Sequence, residues 1–368
     1  MRLGAGASVL AVVSMLAACG PARESRGAPG EGWQPVAGSP LSARQDASVS
    51  WVGDRFVVVG GDDGPPCPPH ADCAAPTGQL LRDGATFDPA TGAWEPIAEA
   101  PVPVAWPSVA VVGEVLYLLM DNEVQGASSA FLAYDRPADL WTTLPMPPDG
   151  TGRLVPVGGV LLAVPGSDEH ALTTDAWFDP ATTTWHRLPD DPLGPSFDRS
   201  ITVVDDQIVL SAHDLVPSPG AHEPSLVRLA ELDPTLSAWT VLAGGEVIGS
   251  DPVAAAGRLV FPDVGGADGG EIGNWGRTYP YGGIYDPASG AWSDLPDVPG
   301  RSSWPRLVVG DLVRVGDVLL DPVTGTTTPV PDAPWSGDDS PSLAASPDSV
   351  FAWGGMQDRS TTGYLFTP

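Results

Sequence analysis

Charged residues recur just ahead of short apolar segments, and they are the residues of this sequence best suited to chemistry. They are three arginines and three aspartates: Arg44, Asp46, Asp198, Arg199, Asp251 and Arg306. In a concave and partly desolvated site, Arg can bind a carboxylate or a sugar, and Asp can act as a general acid or base. The alternative is that the arginines only support the loops that carry them.

Tryptophans form a second recurring theme ahead of the apolar segments. Trp106, Trp304 and Trp335 lie in the short motifs AWPS, SWPR and PWSG. An exposed Trp face can stack on a sugar ring or receive a cationic group. These residues are therefore candidates for ligand binding, although packing between neighbouring loops would also account for them.

Two cysteines lie close together in the segment GPPCPPHADC, where Cys67 and Cys73 are six residues apart. Under oxidising conditions such a pair closes a small loop, and we expect a disulfide. A metal site is the alternative, but two Cys with one His between them make a poor closed site.

His70 lies between these cysteines, and Asp62 and Asp72 lie near it in sequence. The three residues are candidates for a divalent-cation or proton-transfer site. The histidines at 170, 213 and 222 also fall in segments predicted to be loops, whereas His186 follows a Trp on a predicted outer strand. No HxH or HExxH spacing is present, so solvated loop histidines are the alternative.

The net charge of the chain limits the classes of partner that it can bind. The chain has 46 acidic and 17 basic residues, a net charge of −29. Nucleic acid is excluded, because its phosphates would be repelled and its binding needs basic clusters. There is no Gly-rich phosphate loop, GxSxG elbow or Cys-His nucleophile arrangement, and no cofactor is predicted.

The elements that must position these residues come from a repeat. The segment FDPATGAWEPI at 87–97 has echoes down the chain, and an aromatic or Leu residue precedes Asp at positions 88, 135, 179, 233, 286 and 321, at intervals of 35 to 54 residues. An apolar hairpin lies upstream of each pair, which gives four strands per unit. A seventh hairpin begins at Ser342, and its unit lacks a fourth strand.

The missing strand is found at the other end of the chain, where Trp33-Gln34-Pro35-Val36 has no unit of its own. Joining the ends removes open strand edges. The sequence therefore predicts an all-β fold over residues 33–368, a seven-bladed β-propeller of four-stranded blades whose ring is closed by the N-terminal strand.

The repeated Asp and Trp need no substrate to explain them. Asp followed by Pro starts a tight turn, because Pro presets φ and the carboxylate accepts a backbone N–H two residues on. The Trp of the next strand can bury up to about 250 Å² between neighbouring blades. We therefore predict that Asp88, Trp94 and their equivalents are structural.

This pattern resembles the Kelch-type β-propeller, which is also found in the central domain of galactose oxidase. Gly60-Gly61, Phe87 and Trp94 match the family pattern, and Gly354-Gly355 matches it in the last blade. Other blades depart: Met120-Asp121 replaces the Gly pair, and blade six has Thr327 or Thr328 in place of Trp. The resemblance implies a fold more than a function, because propellers include binding proteins and enzymes.

The first residues, MRLGAGASVLAVVSMLAAC, combine one basic residue with an apolar run and small residues before Cys19. Leu16-Ala17-Ala18-Cys19 resembles the lipobox of bacterial lipoproteins. We predict a signal peptide at 1–18, a lipidated Cys19 with a flexible tether over 19–32, and the propeller at 33–368. Acyl chains such as palmitate contribute about 0.8 kcal/mol per buried methylene, so lipid alone would hold the chain at the membrane outside the cytoplasm.

Two functions remain open. The preferred one is a non-catalytic module, monomeric and lipid-anchored, that binds an extracytoplasmic protein or glycan through the loops of one face. The alternative is a carbohydrate-active enzyme, an oxidase, epimerase or lyase, with acid–base residues at the mouth of the central channel. The galactose oxidase copper centre is not supported, because only six Tyr are present and the two remaining cysteines are expected to pair.

Overall fold

The computed structural model describes residues 32–36, 38–65, 78–120, 128–150, 152–217, 221, 223–268, 278–300, 306–335, 341–355 and 361–368. Strands, turns and loops make up these ranges, and no helix is found in them. Nothing in the described ranges is thus a helix that could cross a membrane.

The strands follow from runs of Val, Leu and aromatic residues interrupted by Gly and Asp turns. In chain order they are β1 (Gln34–Val36); in blade one β2 (Ser48–Val52), β3 (Arg55–Val59), β4 (Gly84–Asp88) and β5 (Ala93–Ile97); in blade two β6 (Ser108–Val112), β7 (Val115–Met120), β8 (Ala130–Asp135) and β9 (Leu140–Leu144). Blade three has β10 (Arg153–Val157), β11 (Val160–Val164), β13 (Ala176–Asp179) and β14 (Thr184–Arg187), and between them the short β12 (Ser167–Asp168).

Blade four has β15 (Ser196–Val204), β16 (Gln207–Asp214), β17 (Val227–Leu232) and β18 (Trp239–Val241). Blade five has β19 (Val253–Ala255), β20 (Arg258–Phe261), β23 (Gly283–Asp286) and β24 (Ala291–Ser293), with an added hairpin of β21 (Gly266–Asp268) and β22 (Thr278–Pro280). Blade six has β25 (Val308–Val309), β26 (Leu312–Val315), β27 (Val318–Leu320) and β28 (Thr327–Pro329); the last strands are β29 (Ser342–Ala345), β30 (Val350–Trp353) and β31 (Gly363–Phe366).

The ring closes as the sequence predicts. β1 pairs antiparallel with β31, with Gln34 opposite Leu365 and Val36 opposite Gly363, so the N-terminal strand becomes the outer strand of blade seven. Seven apolar clusters each join two neighbouring blades, and one of them joins blade seven to blade one through Phe351 and Phe56. The all-β, seven-bladed propeller is confirmed; blade four departs from four strands only because β12 adds to the edge of β15.

The repeated aspartates close turns. Asp88 Oδ1 accepts the backbone N–H of Ala90 at 2.8 Å, and Asp321 Oδ1 accepts that of Val323 at the same distance. Asp233 does the same for Thr235 at 2.7 Å. Bonding to the ionised carboxylate lowers the pKa of Asp233 to about 2, chiefly through the Thr235 side chain.

The repeated tryptophans link one blade to the one before it. In blades two to five the half-buried indole Nε1–H donates to a backbone carbonyl just beyond the outer strand of the preceding blade, whereas Trp94 of blade one makes no such bond among the described residues. The pairs are Trp141 with Ala98 (2.8 Å), Trp185 with Pro145 (2.7 Å), Trp239 with Pro189 (2.9 Å) and Trp292 with Ala243 (3.1 Å). The predicted structural role of these residues is confirmed, and it includes a directional hydrogen bond as well as packing.

Antiparallel pairing within each blade gives the ring two different faces. The loops between strands two and three of a blade, and the connections from one blade to the next, emerge on one side, here called the loop face. The turns between strands one and two, and between strands three and four, emerge on the other, here called the turn face. Blade six contributes little to the loop face, because Gly316 and Asp317 alone join β26 to β27.

Candidate functional site

Arg44 lies on the connection from blade seven to blade one and is completely buried, with 0% exposure. Its Nη1 and Nη2 donate to the two carboxylate oxygens of Asp83 at 2.7 and 3.0 Å, and Nη1 also donates to the carbonyl of Gly60 at 3.2 Å. These bonds lower the pKa of Asp83. Arg44 therefore fastens its loop to the start of the third strand of blade one.

Arg199 on β15 is buried in the same way, with 1% exposure. Its Nη2 donates to Asp175 and to Asp191, both at 2.8 Å, and its Nη1 donates to the second oxygen of Asp175 at 3.1 Å. Burial raises the pKa of Asp175, and the guanidinium offsets only part of that effect. Arg199 holds together the loops that connect blades three and four.

Arg306 joins blade six to blade five. It donates to both carboxylate oxygens of Asp263, at 2.6 and 2.7 Å, and to the carbonyl of Ser250 at 3.0 Å. All three arginines singled out in the sequence thus form ion pairs and hydrogen bonds within the fold. Any part they take in binding would be exerted through the loops that they hold in place.

Asp46, Trp106, Asp198 and Asp251 share an unusual backbone conformation. Their φ angles are 55°, 45°, 49° and 52°. Asp46, Trp106 and Asp251 lie two residues ahead of the inner strand, and Asp198 lies where the pairing of β15 with β16 is interrupted between Phe197 and Ser200. A left-handed conformation costs L-residues about 1–2 kcal/mol, and such conformations and bulges concentrate at functional sites.

These four residues differ in exposure. Trp106 is 38% exposed, and the side chain of Asp198 is 53% exposed. Asp46 is half-buried, and burial raises its pKa, with a further contribution from the nearby carboxylate of Asp62. The loop face therefore presents an indole and carboxylates at the starts of the inner strands.

His213 is the residue that sequence reasoning placed wrongly. It was predicted in a loop, but it lies in β16, opposite Phe197 of β15 and Val227 of β17, and it is only 3% exposed. The strand extends to Asp214, and every side chain from Ile208 to His213 is buried, so no alternation of apolar and polar residues marked His213 as a strand residue. Its Nδ1 lies 3.8 Å from the Asp198 carboxylate.

Arg153, the first residue of β10, reaches from blade three to blade five, where it donates to the carboxylate of Asp251. Asp251 and Asp198 both act electrostatically on His213. The structure thus brings Arg153, Asp198, His213 and Asp251 together around blade four. The sequence identified the two aspartates but not the arginine or the role of the histidine.

The predicted cation site is described only in part. Asp62 is completely buried, and its carboxylate accepts the Gln45 side-chain amide at 3.0 Å and the Gly64 backbone N–H at 2.7 Å. The other members of that prediction, His70, Asp72, Cys67 and Cys73, lie outside the described residues, as do Cys19 and Trp304. In the described ranges no three His, Cys, Asp or Glu side chains are placed to hold a metal ion.

Trp335 does not lie where the sequence suggested. It was expected near the channel mouth, but its ring packs edge-on against Trp33 at 4.8 Å and contacts Tyr364 of β31 at 5.9 Å. It thus packs beside the start of β1 and against β31, in the outer half of blade seven.

The loop face also carries exposed apolar side chains that the sequence reasoning missed. They lie on the loops between strands two and three of blades three, four and five: Leu172, Leu215, Val216 and Tyr281. Exposed apolar groups gathered on one face are typical of an interaction surface.

No model of a known protein family matches the chain, and no curated protein matches it in sequence. The fold and the loop face are therefore the basis for a functional proposal.

Proposed function

We propose that this chain is a binding protein, anchored at the outer surface of a bacterial membrane by lipid on Cys19, that binds a basic protein partner on its loop face. The observation that carries the proposal is the combination on that face of exposed apolar side chains with carboxylates held in left-handed backbone. The lipobox-like segment supports the anchor and the location outside the cytoplasm. The Kelch-like spacing of Gly60, Phe87 and Trp94 supports a Kelch-type propeller.

A protein suits this face better than a glycan. Leu172, Leu215 and Val216 are aliphatic and offer apolar contact area to a protein, while Trp106 and Tyr281 add aromatic rings that can contact protein as well as sugar. A net charge of −29 favours a basic partner and speeds its approach. The carbohydrate-active enzyme is less well supported, because Arg44 and Arg199 are buried and their terminal guanidinium nitrogens are held in ion pairs within the fold.

The test is site-directed photocrosslinking in the native cell envelope. A photoreactive amino acid at Leu172 or Leu215 should yield a protein adduct of one defined mass. The same amino acid at Leu140 or Val323, which are 58% and 56% exposed on the turn face, should yield none. Equal labelling from both faces, or glycan adducts alone, would overturn the proposal.

The anchor is tested separately by metabolic labelling with palmitate. Wild-type chain should incorporate the label and sediment with membranes, and the Cys19→Ser variant should do neither. Membrane association that persists without Cys19 would contradict a lipid anchor on that residue.

A further inference from the structure

The imidazole of His213 has an unusual environment. Its side chain is 3% exposed, and neither Nδ1 nor Nε2 has a hydrogen-bond partner among the described residues. The ring stacks on Phe197 with centroids 5.4 Å apart. A buried polar group without a partner costs free energy, and such a group in a native fold calls for a ligand, water or ion to complete it.

The ring is neutral and can accept a hydrogen bond. Burial lowers the pKa of His213 against the opposing effect of three carboxylates, Asp198, Asp214 and Asp251. A neutral imidazole has one nitrogen that accepts and one that donates. A ligand that donates hydrogen bonds would therefore satisfy it.

The carboxylates around the ring are not equally available. Asp214 is bound by Arg228 of β17 at 2.7 Å. Asp198 projects from the bulge in β15, is half-exposed, and has no arginine partner among the described residues; its one close charged neighbour there is His213. Asp251 belongs to the next blade and is held by Arg153. Asp198 and Asp251 thus both act on the imidazole, and together they favour positive charge beside it.

In the free chain, the cation that pairs with Asp251 is Arg153. Its guanidinium crosses from blade three to donate to Asp251, yet its side chain is 53% exposed. An exposed ion pair of this kind contributes little to stability, so a competing cation can replace the guanidinium.

The geometry points to a subsite for one ammonium or guanidinium group of a basic protein partner, formed by Asp198, His213 and Asp251 and partly occupied in the free chain by Arg153. An ammonium has three donors, which match two carboxylates and one imidazole nitrogen. This subsite rests on the proposed function, since it specifies the chemistry by which the loop face recognises a basic side chain.

The test uses the full-length chain in detergent with butylammonium as the probe. Binding is followed by the imidazole C–H resonance of His213, assigned by its absence in His213→Gln, and by calorimetry. Asp198→Asn and Asp251→Asn should each weaken binding at least tenfold, about 1.4 kcal/mol. Arg153→Met should tighten it, because it removes the competing guanidinium.

Two controls make the test specific. The double variant Asp214→Asn with Arg228→Met should leave butylammonium affinity unchanged, because it removes both members of a neutral ion pair. Tetramethylammonium, which has no N–H donor, should not bind.

Butylammonium affinity that is the same in Asp198→Asn and Asp251→Asn as in wild type would overturn the subsite, as would a response to divalent cations alone. If the subsite fails while crosslinking from Leu215 persists, only the subsite is wrong. If crosslinking fails and butylammonium still binds, the protein partner is wrong.

Discussion

Replacing Arg199 by Met separates a structural arginine from a ligand-binding one. Arg199 is buried beside Asp175 and Asp191, which are themselves almost wholly enclosed. Arg199→Met keeps the length of the side chain and removes the charge. Two carboxylates are then left in the protein interior without a cation, and the Pro165 carbonyl loses a donor at 3.2 Å.

The expected loss of unfolding free energy is large. Removing one partner of a buried ion pair costs about 3–5 kcal/mol, because the remaining charge stays desolvated. A domain has only about 5–15 kcal/mol of stability in total, so the unfolding transition should move to much lower denaturant. The double variant Arg199→Met with Asp175→Leu should recover a large part of the loss, since apolar replacement of a buried pair is often neutral or stabilising.

The change with pH of the stability difference between Arg199→Met and wild type can also be predicted. Because burial raises the pKa of Asp175 above its unfolded value, the native state binds more protons at this carboxyl than the unfolded state does, and the contribution of Asp175 to stability rises as pH falls. Without Arg199 the rise should be steeper, so the gap between variant and wild type should narrow from pH 7 towards pH 4.

Denaturant unfolding followed by Trp fluorescence and near-ultraviolet circular dichroism measures these effects. Arg153→Met is the matched control, since it breaks a half-exposed pair and should cost no more than about 1 kcal/mol. Equal stability of Arg199→Met and wild type would refute the reasoning. A loss of ligand binding in that stable variant would place Arg199 at the ligand.

Three further outcomes follow from the fold. Trp141→Phe should lose about 1 kcal/mol by giving up the bond to the Ala98 carbonyl, and Trp141→Ala about 3–5 kcal/mol; a Trp141→Phe variant as stable as wild type in thermal unfolding would argue against a role for the bond. Asp233→Asn should be less stable than wild type at pH 7, and the difference should vanish as pH falls from about 4 through the folded pKa of about 2; a pH-independent difference in acid unfolding would contradict the turn-closing role. Since burial lowers the pKa of His213, the stability that its neutral form contributes should be present above about pH 6.5 and lost as pH falls through the lower folded pKa; an ordinary titration by NMR would show that the ring is not enclosed.

The parts of the site that could be predicted are those that depend on residues close together in the sequence. Asp46, Asp198 and Asp251 could be identified because each stands just ahead of an apolar segment that had to be an inner strand. The same reasoning could not tell that Arg44 and Arg199 turn inward, because their carboxylate partners lie on loops of other strands. It also ended β16 too early and so treated His213 as a loop residue.

The sequence by itself determined the ring. The local signals are turn-closing aspartates, apolar runs of strand length and the recurring Trp. Because they repeat along the chain and one strand is displaced to the N-terminus, the last blade can have four strands only if the two chain ends pair and close the ring. Only the tertiary structure decided which charges a ligand can reach. Arg153 and Asp251 are 98 residues apart and meet because blades three and five both border blade four, and the burial of Arg199 depends on loops that pack over it. Such contacts depend on how the blades are arranged in space, and no local pattern of residues encodes them.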